Sequence, residues 1–427
     1  MRLSFLLLAP VLLVLGSCAS TEAPAPDREP RAGSWRMELD VRTPLDAQAV
    51  TLPFLFDLQQ DSGRWTMLVH NGEETIVVDD VTISSDTFHV RMPLFDSEFI
   101  GMPASDSTIS GYWHNHLKGP DYRIPFTAHA GLTQRFAQAA ATSHDITGNW
   151  ECHFAGGTPD AYPAIGIFNS VDGRVTGTFG TETGDYRYLD GVMSGDSLLL
   201  SSFDGSHAFL FSAELRGDSL IGRFRSGTHS QEPWTAVRNA TFALRDPDSL
   251  TFLKEGHDMV EVRLPNLQGD SVSPMDERFA GRVRMVQMMG SWCPNCVDET
   301  VLLTEMYEEY HDQGLDVFAI AFERYPEKGK AISSLTRFKE RLGVKYDVLY
   351  GGESRKEVAA EKLPFLDHIM SYPTCIFIDR AGKVRRIRTG FYGPGTGEHY
   401  VNYRRNLKLF LEKMLAEPVE GTVKKAV

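Results

Sequence analysis

Positive charge is what this sequence lacks first: 43 Lys and Arg stand against 57 Asp and Glu, a formal net charge of −14, and no basic block interrupts that excess. Without a cationic stripe to neutralise phosphates, nucleic acid is excluded as a partner. Long apolar runs are missing too. The most hydrophobic stretch, residues 3–15, is broken by Ser4 and Pro10 and is too short for a transmembrane helix. Cysteine is scarce: besides Cys293 and Cys296 there are Cys18, Cys152 and Cys375, and these form no second close pair. What remains, 42% hydrophobic and 23% charged residues, is the balance of a globular protein rather than a disordered or polytopic one. The length calls for two or three domains.

At the N-terminus Arg2 and the apolar residues behind it read as a signal peptide over residues 1–17. Leu15-Gly16-Ser17-Cys18 resembles the lipobox of bacterial lipoproteins. That resemblance implies cleavage before Cys18, lipidation at Cys18 and a stable hold on the membrane, since several acyl chains anchor where one does not. The plain alternative is an ordinary secretory signal with an incidental cysteine. Residues 18–32, rich in Ala, Pro and charge, read as a lipidated tether. By resemblance to lipoprotein sorting, Ala19 in place of an aspartate points to the outer membrane, on the periplasmic side of the cell envelope.

From residue 33 to residue 244 short alternating runs are separated by turn dipeptides, the pattern of antiparallel β-structure. Two halves echo each other in order. Gly33-Ser34-Trp35 returns as Gly148-Asn149-Trp150, Phe95-Asp96 as Phe203-Asp204, and Pro125-Phe126-Thr127-Ala128 as Pro233-Trp234-Thr235-Ala236. The expectation is a duplicated β-meander, repeat 1 over 33–129 and repeat 2 over 145–244, joined by the Ala-rich segment 130–144 as a polar linker or short helix. Strand spacing leaves open whether these are two small barrels or halves of one. An interior cavity would bind an apolar ligand; a scaffold or docking surface is the simpler reading. The run 181–188 reads as a hairpin with Gly184-Asp185 at its turn and is assigned no chemistry. His114 and His116 could share a face, but no third ligand sits at a telling spacing, so no metal is expected.

Beyond residues 245–256 strands alternate with helices, an α/β pattern with a partly parallel sheet. Val283–Met289 and 315–322 suit buried strands, and 297–310 and 400–415 have helical periodicity. Trp292-Cys293-Pro294-Asn295-Cys296 falls where a strand hands over to a helix. There the unpaired N–H groups and the helix dipole favour a thiolate at Cys293, leaving Cys296 to resolve a mixed disulfide. Pro294 suits the first helical position. Half a zinc site would need two further ligands that the cysteine spacing does not offer, and a loop this short closes too little chain entropy for a purely structural disulfide.

With Trp292, Cys293 and Cys296, with Glu299 three residues on, and with Tyr372-Pro373-Thr374 leading an apolar strand, residues 258–416 resemble the TlpA/ResA-like branch of the thioredoxin superfamily. The fold class expected is multidomain, antiparallel β-meander repeats followed by an α/β thioredoxin fold over 257–417. The resemblance implies Cys293 as nucleophile, Cys296 as resolving thiol, Glu299 as modulator of thiol titration and Pro373, after a cis bond, as support for substrate backbone. Bland alternatives are an ordinary trans proline at Pro373 and an acidic residue merely favoured near a helix start at Glu299. The segment 323–370 resembles the helical insertion of that branch. The implied function is a membrane-anchored envelope thiol-disulfide oxidoreductase, a reductase of protein disulfides. It would need no cofactor beyond the redox-active Cys293/Cys296 disulfide and would be reduced by a membrane electron donor of the thiol-transfer type. The competing functions are a peroxiredoxin-like peroxidase and a ligand-binding β-barrel lipoprotein with an accessory redox domain.

Overall fold

In the computed structural model the described residues are 29–137 and 144–419. The signal peptide, Cys18 and most of the tether lie outside them. None of the helices described is long and apolar enough to cross a membrane.

The first β-region is a nine-stranded antiparallel sheet. In spatial order its strands are Glu74–Val78, Arg64–Asn71, Thr51–Asp61, Gly33–Asp40, Arg123–Ala130, Thr108–Asn115, Ser97–Ser105, Phe88–Arg91 and Asp80–Ile83. Its two edge strands follow one another in the chain with only Asp79 between them, so the sheet must curl round on itself. Alternation decides the inside: Trp35, Met37 and Leu39 on one strand are buried, as are Phe54, Phe56 and Leu58 on its neighbour.

A second nine-stranded sheet runs from Gly148 to Arg238, and pairing of Tyr162–Val171 with Arg174–Thr181 closes it into a ring. The two halves are thus two barrels, not one. Their first strands keep the same local device. The Trp35 indole donates to the Arg31 carbonyl at 3.0 Å and the Trp150 indole to the Ile146 carbonyl at 2.9 Å. Within the second ring Phe154, Phe179, Phe211, Phe224 and Trp234 are in contact, with Phe211 and Phe224 stacked at 4.4 Å. Rings packed this closely make the interior a filled core.

One expectation needs correction here. The 181–188 hairpin turns at Glu182-Thr183, and Gly184–Asp185 is a paired strand, Thr181 opposite Gly184 and Gly180 opposite Asp185. Within the joining segment, Arg135 is buried rather than exposed. It is held between the barrels by the Ser201 hydroxyl at 3.1 Å, the His70 carbonyl and Asp190.

The C-terminal unit is a five-stranded sheet in the order Asp347–Glu353, Leu315–Glu323, Val283–Met289, Thr374–Ile378, Val384–Thr389. The first three strands are parallel and the last two antiparallel to their neighbours. All residues of Val283–Met289 and Leu315–Glu323 are buried, as central strands covered on both faces require. Helices Pro294–Tyr310, Lys328–Arg341, Lys356–Lys362 and Glu398–Leu415 surround the sheet. The segment expected as a helical insertion also supplies an edge strand, because Val348 and Leu349 are apolar enough to be buried against Leu315–Glu323.

The barrels share core. Phe203 ends a strand of the second ring but lies in the hydrophobic cluster of the first, stacked on Phe54 at 4.5 Å and edge-on to Trp113 at 5.0 Å. Phe203→Ala is expected to cost about 3–5 kcal/mol in urea unfolding and to lower amide-exchange protection in both barrels together. Protection lost in one barrel alone would refute the shared core.

Candidate active site

Strand Val283–Met289 ends in a glycine that has no room for a side chain: a Cβ on Gly290 would stand 2.2 Å from the Trp292 indole nitrogen. The indole instead folds back to donate to the Phe322 carbonyl at 2.9 Å, and the Arg324 guanidinium covers its ring at 3.9 Å. Ser291 is fixed by Glu323, whose carboxylate accepts from the Ser291 N–H at 2.7 Å and its hydroxyl at 2.8 Å. Burial pushes Glu323 up to about 7, against the Ser291 bonds that favour its charge.

Cys293 is the N-cap of helix Pro294–Tyr310, and its Sγ accepts from the Cys296 N–H at 3.3 Å. The two cysteines are joined as a disulfide. Cys293 is 6% exposed and Cys296 fully buried, so the outer sulfur is the one a partner can reach. Across from it, the Tyr372 carbonyl oxygen lies 3.6 Å from Cys293 Sγ, and the Tyr372–Pro373 bond is cis. The trans alternative for Pro373 does not hold.

Beneath the disulfide Glu299 is 1% exposed. Gln287 binds it from the central strand: its amide donates to Glu299 Oε2 at 2.9 Å and to the Cys296 carbonyl at 3.3 Å, while Thr300 donates to the Gln287 oxygen at 3.0 Å. Burial raises Glu299 to about 7, opposed by the Gln287 bond and by Arg388. Cys375 sits opposite Gln287 in the adjacent strand, fully buried, its thiol pushed well up by burial and then by Glu299. So Trp292, Cys293, Cys296, Glu299 and Pro373 converge on one helix start. Cys18 lies outside the described residues.

The sequence reading missed the second barrel's part in this site. Arg187, in the run given no chemistry, donates to the Pro294 carbonyl at 3.2 Å and pairs with Asp298 at 3.0 Å. Its other partners are Glu74 of the first barrel and, more distantly, Asp204 of its own. Asp298 is pushed up to about 7 by burial, with Arg187 opposing. Asn295, between the cysteines, donates to the Asp185 carbonyl at 3.2 Å, and Asp185 itself accepts from the Gly393 N–H at 2.6 Å. Gly184 is obligatory at this contact: its φ is +144° and a Cβ would fall 1.9 Å from the Asn295 amide. Ser206, also from the second barrel, donates its hydroxyl to the Trp292 carbonyl at 3.3 Å. No local spacing encoded these contacts, since Arg187 and Pro294 are 107 residues apart.

Two outcomes follow. Glu299 holds its proton to about 7 when folded but only to the ordinary 4.5 when unfolded. The folded chain therefore loses stability as pH climbs through that window. Glu299→Gln removes this loss, so its melting temperature should exceed the wild type's by several degrees at pH 8 and converge with it at pH 4; equal melting at both pH values would contradict a buried, proton-holding carboxyl. Arg187→Met strands the carboxylates of Asp298 and Glu74, and about 3–5 kcal/mol of stability should be lost in denaturant titration. Arg187→Lys should recover only part, lacking the planar fork that reaches several acceptors at once.

Comparison with known proteins points to the same region. Residues 254–399 match the Redoxin family model. Over 112 residues, 26% of this chain and 57% of the relative, the sequence is 27% identical to thiol-disulfide oxidoreductase ResA of Geobacillus thermodenitrificans. Over 139 residues, 32% of this chain and 69% of the relative, it is 25% identical to thiol-disulfide oxidoreductase ResA of Halalkalibacterium halodurans. The chain thus spans little more than half the length of the first of these relatives. A thiol:disulfide interchange protein of the thioredoxin family from Chlorobium tepidum TLS, of solved structure, is 16% identical, with 38% of this chain and 99% of that one covered and a TM-score of 0.29. The C-terminal part of this chain is thus similar to the Redoxin family over residues 254–399 and to ResA thiol-disulfide oxidoreductases over much of the same region.

Proposed function

We propose that this chain is a thiol-disulfide oxidoreductase of the bacterial cell envelope, anchored through lipid on Cys18 and reducing disulfides in exported proteins. One observation carries the reading: Cys293 Sγ caps a helix N-terminus, accepts the Cys296 N–H at 3.3 Å and faces the carbonyl before the cis proline at 3.6 Å. Helix N–H groups aimed at that sulfur favour its thiolate once the disulfide is reduced.

In this reading the reduced Cys293 thiolate attacks one sulfur of a substrate disulfide, forming a mixed disulfide and releasing the other substrate sulfur as a thiolate. Cys296 then loses its proton and attacks Cys293 Sγ, which frees the second substrate sulfur and leaves Cys293–Cys296 oxidised. Two electrons have passed to the substrate, and a membrane thiol donor restores the dithiol. Glu299, titrating near 7 beneath Cys296, is suited to take the resolving thiol's proton and return it. In this reading the loop before Pro373, whose Tyr372 carbonyl faces Cys293 Sγ, supports the incoming chain beside Trp292. A cleft of about 490 Å³ opens beside the pair, bounded by Asn295 and Met370 on one side and by Tyr162, Tyr186 and Asp185 of the second barrel on the other. A polypeptide reaching Cys293 along the cis-proline loop would pass it.

The test is reduction of insulin disulfides by the full chain with dithiothreitol as donor. Cys293→Ser should abolish turnover and Cys296→Ser should trap a mixed disulfide; wild-type rates no higher than those of the variants would end the reading. Anchoring is separable: Cys18→Ser should move the protein from the membrane pellet to the soluble envelope fraction without changing insulin reduction.

A further inference from the structure

Away from the thiols, neighbouring strands of the first barrel collect imidazoles around one carboxylate. Glu98 on strand Ser97–Ser105 stands directly opposite His114 on strand Thr108–Asn115, and His116 begins the short helical turn that follows. One ligand atom from each of Glu98, His114 and His116 lies within 4.8 Å of the others. Glu98 Oε1 is 2.9 Å from His116 Nε2, its Oε2 is 2.7 Å from His89 Nε2, and the rings of His114 and His116 are 3.9 Å apart between centroids. His114 is only 7% exposed, yet the contact of its Nε2 with the Gly119 carbonyl is 3.4 Å, at the weak end for a hydrogen bond. The sequence reading found no third ligand because Glu98 joins the histidines only through strand pairing.

We propose that Glu98, His114 and His116 form a binding site for a divalent transition metal of the zinc class. Two imidazole nitrogens and a carboxylate oxygen are borderline donors that suit Zn²⁺, Cu²⁺ or Ni²⁺ rather than Ca²⁺ or Mg²⁺. His89 holds the second oxygen of Glu98, the kind of outer partner that orients a ligating carboxylate. With three protein ligands, the fourth position of a tetrahedral ion is open to water.

The site's surroundings give the ion a structural task. Asn115, between the two histidines, donates to the Ser206 carbonyl at 3.0 Å, and Ser97, beside Glu98, donates to the Gly205 carbonyl at 2.5 Å. Ser206 in turn donates to the Trp292 carbonyl at 3.3 Å, one residue before Cys293. An ion that ties the Glu98 strand to the His114 strand therefore braces the turn on which the thiol loop rests. The competing arrangement is metal-free, a hydrogen-bonded row of His89, Glu98 and His116.

Zn²⁺ titration decides between them. The full chain, kept in its disulfide form and stripped with chelator, is titrated with Zn²⁺ against a chromophoric competitor, and with Co²⁺ while visible absorption is followed. The expected result is one Zn²⁺ per chain, a tetrahedral Co²⁺ band, and affinity at least tenfold weaker in His116→Ala and in Glu98→Gln. His116 is exposed, so its variant keeps the fold, which circular dichroism verifies. Absence of a stoichiometric site, or affinity unchanged in His116→Ala, would overturn the proposal. Insulin reduction by the same samples is scored separately, so failure of the metal site leaves the thiol reading standing.

Discussion

A buried guanidinium must find carboxylates, and Arg187 finds them on three parts of the chain: Glu74 in the first barrel, Asp204 in the second and Asp298 on the thiol-bearing helix. Removing such a charge from water costs several kcal/mol, which nearby carboxylates offset, although the Arg187 Nε itself makes no hydrogen bond. Arg187 also reaches the Pro294 carbonyl, so the ion cluster ends on the backbone between the two cysteines. The barrels therefore cannot drift from the thioredoxin-like unit without stranding charge, and the position of the second barrel is part of the thiol site.

That docking explains the carboxyl groups around the helix. Asp298, Glu299 and Glu323 are each raised to about 7 by burial, but each is held differently: by Arg187 across the domain boundary, by Gln287 from the central strand, and by the Ser291 N–H and hydroxyl in the loop. Only Glu299 lies under the cysteine pair, where Gln287 touches both it and the Cys296 carbonyl. The other two fix the loop and helix from either side. The same burial raises all three, and their partners set them apart: only Glu299 shares a neighbour, Gln287, with Cys296.

Local chemistry in the sequence carried the thiol site well. A strand handing over to Trp292-Cys293-Pro294-Asn295-Cys296, a carboxylate at Glu299 and a proline before an apolar strand are short-range patterns, and the residues they name converge. Contacts made by tertiary folding were invisible. Glu323 ended a strand with no mark of its role, and Glu98 met His114 only through register. Gly184-Asp185 looked like a turn because glycine usually serves there. Here the glycine is needed so that the barrel backbone can approach the Asn295 amide, and the turn falls two residues earlier. Arg135 sat in an Ala-rich stretch that read as linker, yet its guanidinium fills the seam between the barrels.

The duplication adds a last step. Phe95-Asp96 and Phe203-Asp204 correspond in the repeated pattern, and each pair reaches out of its own barrel. Phe95 enters the hydrophobic cluster that contains Cys293 and Cys296, and Asp96 accepts from the Tyr325 hydroxyl of the thioredoxin-like unit. Phe203 enters the first barrel's core, and Asp204 turns towards His207 and Arg187. A bulky ring followed by a carboxylate on a barrel rim is an apolar plug with a polar latch. Each copy has docked on a different neighbour: the first on the thiol unit, the second on the first. Because the second barrel's plug is buried in the first, the hairpin and the 204–207 turn that it carries are held rigidly enough to meet Asn295 and Trp292 at hydrogen-bond distance. Two copies of one unit thus build a wall that a single barrel, lacking a neighbour for its rim, could not fix in place.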